Sequence, residues 1–313
     1  MKRIVQCVPN FSEGRRLNII EKIIAPLKNQ KGFKLISYEP DADYNRTVVT
    51  LIGDIDALIE PLLNFFSEAL NYIDMNQHSG EHPRMGAVDV VPFIPITGIT
   101  IEECISIATE LAKKVNERFS IPVYLYANAA NYSERENLPT IRSGEFEGMK
   151  EKIKEDKWLP DFGEPKIHET FGAVAIGARM PLIAYNIDLD TKDEKIANKI
   201  ARTIRKSSGG FQYVQAGPAF LEEKGHVQVT MNILDYKKNP IYRIFETVKM
   251  EAKRYGIKAT SSELIGLCPK DALIRSISYY LDIEKIPYKK DMSLEDITIY
   301  SIKYLNLRNF NIM

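Results

Sequence analysis

The chain has 313 residues, 44% of them hydrophobic and 27% charged, a composition that excludes a disordered chain and needs no disulfide or metal to hold a core. Lys+Arg and Asp+Glu are equal at 42 each, so no net field draws in nucleic acid or a membrane surface. Cys7, Cys104 and Cys268 lie far apart without a CxxC pair, each inside an apolar run, and read as buried reduced thiols. The apolar run after Lys2 and Arg3 stops at Pro9, too short for a signal-peptide core, and no stretch has the length of a membrane span. A cytoplasmic protein without nucleic-acid or membrane partners is expected.

Taken in chain order, Arg3 to Val8 reads as a strand, and a helix with Ile19, Ile20, Ile23, Ile24 and Leu27 on one side follows the loop Pro9 to Gly14. Strands are expected over Phe33–Tyr38 and Arg46–Gly53. A long helix opening after an N-cap at Asp54 carries Leu58, Leu62, Phe65, Phe66, Leu70 and Ile73. A strand over Ala87–Ile94, a helix over Thr100–Phe119 and a strand over Pro122–Tyr126 come next, then a charged helical stretch from Glu145 to Trp158.

The order recurs after Met180-Pro181. Leu182–Leu189 reads as a strand and Asp190–Lys206 as a helix. Phe211–Leu221 and His226–Leu234 read as strands paired across Glu222-Glu223-Lys224-Gly225. Ile241–Tyr255 is helical, Gly256–Ala259 starts a strand, and helices over Lys270–Leu281 and Leu294–Leu305 finish the chain. The reading is α+β: two ferredoxin-like βαββαβ subdomains, residues 1–180 and 181–313, the second with a helical C-terminal extension.

The segment HSGEHPRMGAVDVVPFIP, His78 to Pro95, holds two of the four histidines, a carboxylate and an arginine just ahead of a valine-rich strand. Three readings compete for it. His78 and His82 could ligate a metal, but Gly80 and Pro83 break the helix that would align them, and no further histidine or cysteine is near in sequence. His82 could satisfy a structural hydrogen bond. Or it could be a general acid/base, since an imidazole both takes and gives a proton near neutrality, with Glu81 and Arg84 tuning it in opposite directions.

Weaker candidates surround it. FSEGR, Phe11 to Arg15, could present backbone N–H groups to an anion, or Ser12 could simply cap the next helix. Asn45-Arg46-Thr47 offers a guanidinium suited to a carboxylate. Pro160 to Gly172, with Lys166, His168, Thr170 and Phe171, reads equally as a ligand clamp or a solvated linker.

Together these segments resemble the formiminotransferase domain of the glutamate formiminotransferase family. The matching stretches are CVPNFSEG (Cys7 to Gly14), NRTV (Asn45 to Val48), GEHPRMGAVDVVPFIP (Gly80 to Pro95), PVYLY (Pro122 to Tyr126), PDFG (Pro160 to Gly163), GAR (Gly177 to Arg179) and VQA (Val214 to Ala216). They cover nearly the whole chain. The resemblance implies a ligand cleft between the two subdomains and transfer of a formimino group from N-formimino-L-glutamate to N5 of tetrahydrofolate. His82 is then the catalytic acid/base, with tetrahydrofolate as co-substrate and no metal.

It further implies that the folate-contacting segment is Gly163, Glu164, Pro165, Lys166, Ile167, His168, Glu169, Thr170, Phe171 and Gly172, although Glu164 to Thr170 departs from the family pattern. Glu39 stands where the family often has an acidic residue at a strand end. With Asn10, Arg46 and Arg84 it is a candidate for binding the small-molecule substrate. A monofunctional enzyme is expected, a homodimer by default. The alternatives are salvage of 5-formyl-tetrahydrofolate by formyl transfer to glutamate, or a folate-binding protein without catalysis.

Overall fold

The computed structural model describes residues 2–221, 225–289, 291–308 and 311–312, and is α+β with two main sheets. The chain divides into two compact units, Met1–Met180 and Pro181–Met313. The turn expected over Glu222 to Lys224 lies outside the described residues.

In the first unit, β1 (Ile4–Cys7) and β2 (Asn10–Phe11) form one interrupted strand between β4 (Arg46–Asp54) and β5 (Val88–Thr97), antiparallel to both. β3 (Phe33–Asp41) forms the edge beyond β4. On the far side, β5 runs parallel to β7 (Val174–Ala178), which runs parallel to β6 (Val123–Ala127). Side chains along β4 alternate with the pleat: Thr47, Val49 and Leu51 are buried, while Arg46, Val48 and Thr50 face the other way, only partly covered. β5 is buried over Val88–Ile94, because a strand flanked on both sides and covered by helices has no solvent face.

The helices α1 (Leu17–Ile24), α2 (Ile59–Tyr72) and α3 (Ile101–Phe119) supply the apolar layer. Phe65 of α2 meets Phe11 edge-on at 5.7 Å, and Phe66 stacks on Phe171 at 6.0 Å. Asp54 caps a short 3-10 turn, Ile55–Ala57, by accepting from the Asp56 amide, so the long helix opens one turn later than the capping pattern suggests.

The stretch expected to be one charged helix is broken into α5 (Glu145–Lys152), preceded by the short α4 (Leu138–Arg142), and a 3-10 turn at Asp156–Trp158. β7 is a strand that sequence pattern did not pick out. Its five residues are all buried, so it has no polar alternation to betray it.

The second unit repeats the order βαββαβ. β8 (Ile183–Leu189) pairs with both β11 (Ala259–Ile265) and β10 (His226–Ile233), and β10 pairs with β9 (Val214–Leu221), all antiparallel. Helices α6 (Glu194–Ile204) and α7 (Ile241–Arg254) bury Ile200, Ile204, Ile244, Phe245 and Val248 in its core. α8 (Lys270–Glu284) and α9 (Leu294–Leu305) pack with them.

One buried ion pair holds the segment leading to Gly163. Arg135 is 1% exposed, and its guanidinium donates to Asp161 at 2.7 Å and to the Lys157 and Leu159 carbonyls. Asp161 also accepts from the Leu125 amide of β6 and from Asn131 Nδ2. Removing one partner of such a pair leaves an uncompensated charge in a dry site. Asp161→Ala is therefore expected to destabilise the protein by about 3–5 kcal/mol in a denaturant titration.

Candidate active site around His82

Three loops of the first unit converge on the turn that carries His82, and Asn45 ties them together. Its Oδ1 accepts from the Gly14 amide at 2.9 Å, its Nδ2 donates to the Ser79 carbonyl at 2.9 Å, and its own carbonyl lies 2.9 Å from His78 Nε2. Asn45 sits at φ +48°, a left-handed conformation that asparagine tolerates better than most residues. Gly80 is required by close approach: a Cβ there would stand 2.4 Å from the Tyr44 carbonyl oxygen.

The His78 contacts fix its tautomer. Nε2–H donates to the Asn45 carbonyl, so Nδ1 is free to accept from Arg84 Nε at 3.3 Å. Burial lowers its pKa, which suits a neutral ring used as a brace. Among the described residues no group of three His, Cys, Asp or Glu side chains is placed to hold a metal ion.

The FSEG loop is fastened differently from either reading of its sequence. Ser12 does not cap α1; its Oγ donates to the Gly86 carbonyl and its amide to the Ala87 carbonyl, locking the loop onto the His82 turn. No side chain caps α1; Glu13, three residues ahead of its N-cap Arg16, accepts from the Arg15 and Arg16 amides in the turn leading into it. Those amides are thus already occupied by an anion of the protein itself.

His82 is 8% exposed, and Tyr44 packs edge-on against it with ring centroids 6.1 Å apart. No hydrogen bond to its ring is made among the described residues. Burial, then the positive charges of Arg46 and Arg142, with His78 and Arg84 behind them, push its pKa down to about 3. At neutral pH the imidazole is uncharged.

Two recessed spaces flank the adjoining His78. One, of about 250 Å³, is bounded by Ser12, Glu13, Arg16, Asn45 and Tyr72 among others. The other, of about 490 Å³, is bounded by Ser79, Gly80, Arg84, Glu145 and Glu147. His82 itself lines neither.

The other candidate residues occupy different stations. Arg84 is buried; its terminal nitrogens donate to Glu145 and to Glu147, the latter at 2.7 and 2.9 Å, and its Nε to His78. Arg46 stands half-buried at the start of β4, its guanidinium 5.5 Å from the Tyr44 ring centroid and its Nε buried without a partner. Asn10 is mid-sheet, opposite Val48 and Val90, and donates to the Val8 carbonyl. Glu39 is exposed on the edge strand, opposite Val48.

The Gly163–Gly172 segment has two halves. Glu164, Pro165 and Lys166 are exposed. His168 and Gly172 exchange backbone hydrogen bonds at 3.0 and 2.9 Å, closing a tight turn around Glu169, Thr170 and a buried Phe171; Ile167, just before it, is also buried. That turn is stitched to the His82 loop. Ala87 N donates to Phe171 O, Ala173 N to Met85 O, and Met75 N to Thr170 O. Gly172, at φ +86°, admits no side chain, since a Cβ would lie 2.2 Å from the Met85 carbonyl oxygen.

Sequence reasoning missed Asp89 and Arg142. Asp89 is 1% exposed in β5, accepts from the Met85 amide at 2.9 Å and takes both Arg142 Nε, at 2.8 Å, and a terminal guanidinium nitrogen. The available signal was a lone carboxylate inside the apolar run VDVV, which must have a partner.

The depressed His82 pKa has a stability consequence. The folded imidazole stays neutral down to about pH 3, whereas the unfolded one takes up a proton below about 6.5. Stability from this group is therefore intact above about pH 6.5 and falls as the pH drops from there toward 3. Between about pH 7.5 and about pH 5 the wild type is expected to lose up to about 2 kcal/mol more than His82→Gln, read from urea midpoints.

Comparison with known proteins follows the same segments. Residues 4–179 match the formiminotransferase domain, N-terminal subdomain, and residues 184–313 match the formiminotransferase domain. The chain is 47% identical over 292 residues to a glutamate formimidoyltransferase of Streptococcus pyogenes serotype M1, covering 93% of this chain and 98% of that protein. It is 44% identical to a glutamate formimidoyltransferase of Thermoplasma acidophilum, covering 90% and 93%. It is 39% identical to the formimidoyltransferase-cyclodeaminase of Mus musculus over 91% of this chain and 54% of that protein. The chain belongs to the formiminotransferase family.

Proposed function

We propose that the protein is a glutamate formimidoyltransferase, which moves the formimino group of N-formimino-L-glutamate to N5 of tetrahydrofolate and releases L-glutamate. The observation that carries this reading is end-to-end similarity, at 47% and 44% identity, to two proteins of that name with no large segment of either left over. Tetrahydrofolate is the co-substrate. The free, buried cysteines Cys7, Cys104 and Cys268 fit a reducing cytoplasm.

Chemistry then assigns the roles. N5 attacks the amidine carbon, forming a C–N bond and a tetrahedral intermediate in which N5 carries a surplus proton. The bond from that carbon to the glutamate nitrogen must break next, and the departing nitrogen needs a proton. His82 accepts the first proton and delivers the second, so the imidazole ends as it began. Its support is that the ring is neutral at working pH and makes no hydrogen bond among the described residues. The N5 proton becomes more acidic once the new bond has formed, which lowers the demand on the base at that moment without removing it.

Arg46 is the proposed partner of a substrate carboxylate, being half-buried, cationic and without an ion pair among the described residues. Arg84 is the poorer choice, because Glu145 and Glu147 already take up its donors. His78 is proposed as a brace for Asn45 and Arg84 and not as a proton carrier.

Mixing the protein with tetrahydrofolate and formimino-glutamate, then measuring acid-derived methenyl-folate by its near-ultraviolet absorbance, tests the reaction. Product must form at a rate proportional to enzyme. His82→Ala is expected to lower kcat by about 10²–10⁴ with the circular-dichroism spectrum unchanged. His78→Ala costs much less. Near wild-type turnover by His82→Ala would remove the imidazole from the mechanism.

A further inference from the structure

Three arginines act on His82, and they differ in what balances them. Arg142, at the end of α4, is neutralised by Asp89 of β5. Arg84, in the same turn as His82, is neutralised by Glu145 and Glu147 of α5. Arg46, the first residue of β4, makes no ion pair among the described residues, and its Nε is buried without a hydrogen-bond partner. Asp41 and Asp89 act on it only at longer range. Tyr44 joins the two groups: its ring lies 5.5 Å from the Arg46 guanidinium and meets the His82 ring edge-on at 6.1 Å. The remaining titratable neighbour of His82 is His78, held neutral between Asn45 and Arg84.

We infer that Arg46 docks a carboxylate of the amino-acid substrate and that this anion, by neutralising the one arginine beside His82 left unbalanced among the described residues, turns the imidazole from a poor base into a competent one. The inference rests on the transferase reading and on His82 as its proton carrier. An imidazole next to an uncompensated guanidinium resists a second positive charge, and an anion on that guanidinium removes the resistance. Burial makes the effect larger than it would be in water, because little solvent intervenes. The substrate thereby completes the electrostatics of its own reaction: the base is idle until the glutamate skeleton is seated.

The same geometry explains why the neighbouring arginines are paired and Arg46 is not. Arg142 and Arg84 bring carboxylates with them, so their field at His82 is fixed. Only Arg46 has its field left for a ligand to change. Both the guanidinium and the His82 ring contact Tyr44, which is itself 45% exposed.

The experiment follows the His82 ring proton by ¹³C-edited NMR, its resonance identified by its loss in His82→Gln. The midpoint is read in free protein, with saturating glutarate, and with glutaramide, which has the same skeleton without charge. The free midpoint is expected well below the ordinary imidazole value of about 6.5. Glutarate should raise it by about one pH unit or more, a tenfold gain in protonation at fixed pH, and glutaramide should leave it in place.

Arg46→Gln should raise the free midpoint and abolish the response. Arg46→Lys, which keeps the charge and the β4 pleat, should keep the low midpoint. A midpoint that glutarate leaves unmoved at any soluble concentration overturns the inference, as does an equal shift in Arg46→Gln. Formimino transfer with an unmoved midpoint sinks only the inference. A moved midpoint without formimino transfer sinks only the transferase reading.

Discussion

The side-chain amide of Asn45 is fastened at both ends, and the loops of the candidate site hang on it. One end takes the Gly14 amide from the FSEG loop, the other gives to Ser79 in the His82 loop, and the backbone carbonyl between them takes His78. All of these are neutral hydrogen bonds in a buried place, where each group left without its partner would carry a desolvation penalty. Ser12 adds the fourth fastening, from its hydroxyl and amide to Gly86 and Ala87. His82 thus sits in a turn whose backbone has little freedom, although its ring is bonded to nothing among the described residues. A rigid frame with an uncommitted side chain is the arrangement that proton transfer in a defined geometry requires.

Around that frame most of the charges are paired with one another. Carboxylates near the turn are spent on arginines that support it: Asp89 on Arg142, Glu145 and Glu147 on Arg84. Glu13 is spent on the start of α1. The result is a ring acted on by the positive charges of Arg46, Arg142 and Arg84, the reverse of a histidine held by an acidic partner. Such a ring is neutral across the physiological range, and its proton affinity depends on what else enters the site.

Much of the architecture was legible because it is local. The alternation along Arg46–Asp54 and the apolar stripes of Leu17–Ile24 and Ile241–Arg254 show in the sequence with the right period. β7 was not legible, since a short strand buried on both faces looks like any apolar run. Within the candidate site, the motifs flagged loops that the fold brings together, but not the atoms that fasten them. Asn45 stood in a motif read for its arginine, yet the asparagine does the fastening. Ser12 does not cap α1, because its hydroxyl is bonded to the Gly86 carbonyl, and the helix opens without a side-chain cap. Arg142 stands 53 residues from Asp89 and Glu147 stands 63 from Arg84; such long-range pairs leave no periodic trace and emerge only when the fold closes.

The backbone seam between Met85–Ala87 and Phe171–Ala173 reaches beyond anchoring. Because Gly172 and the Met85 carbonyl nest within the space of a single missing methyl group, the two strips are held in register by backbone groups alone. A segment transplanted into Gly163–Gly172 must therefore end on a glycine at 172, whatever its other side chains. Variety in the segment is thereby confined to side chains that leave this backbone seam intact, while the exposed run Glu164 to Lys166 lies outside it.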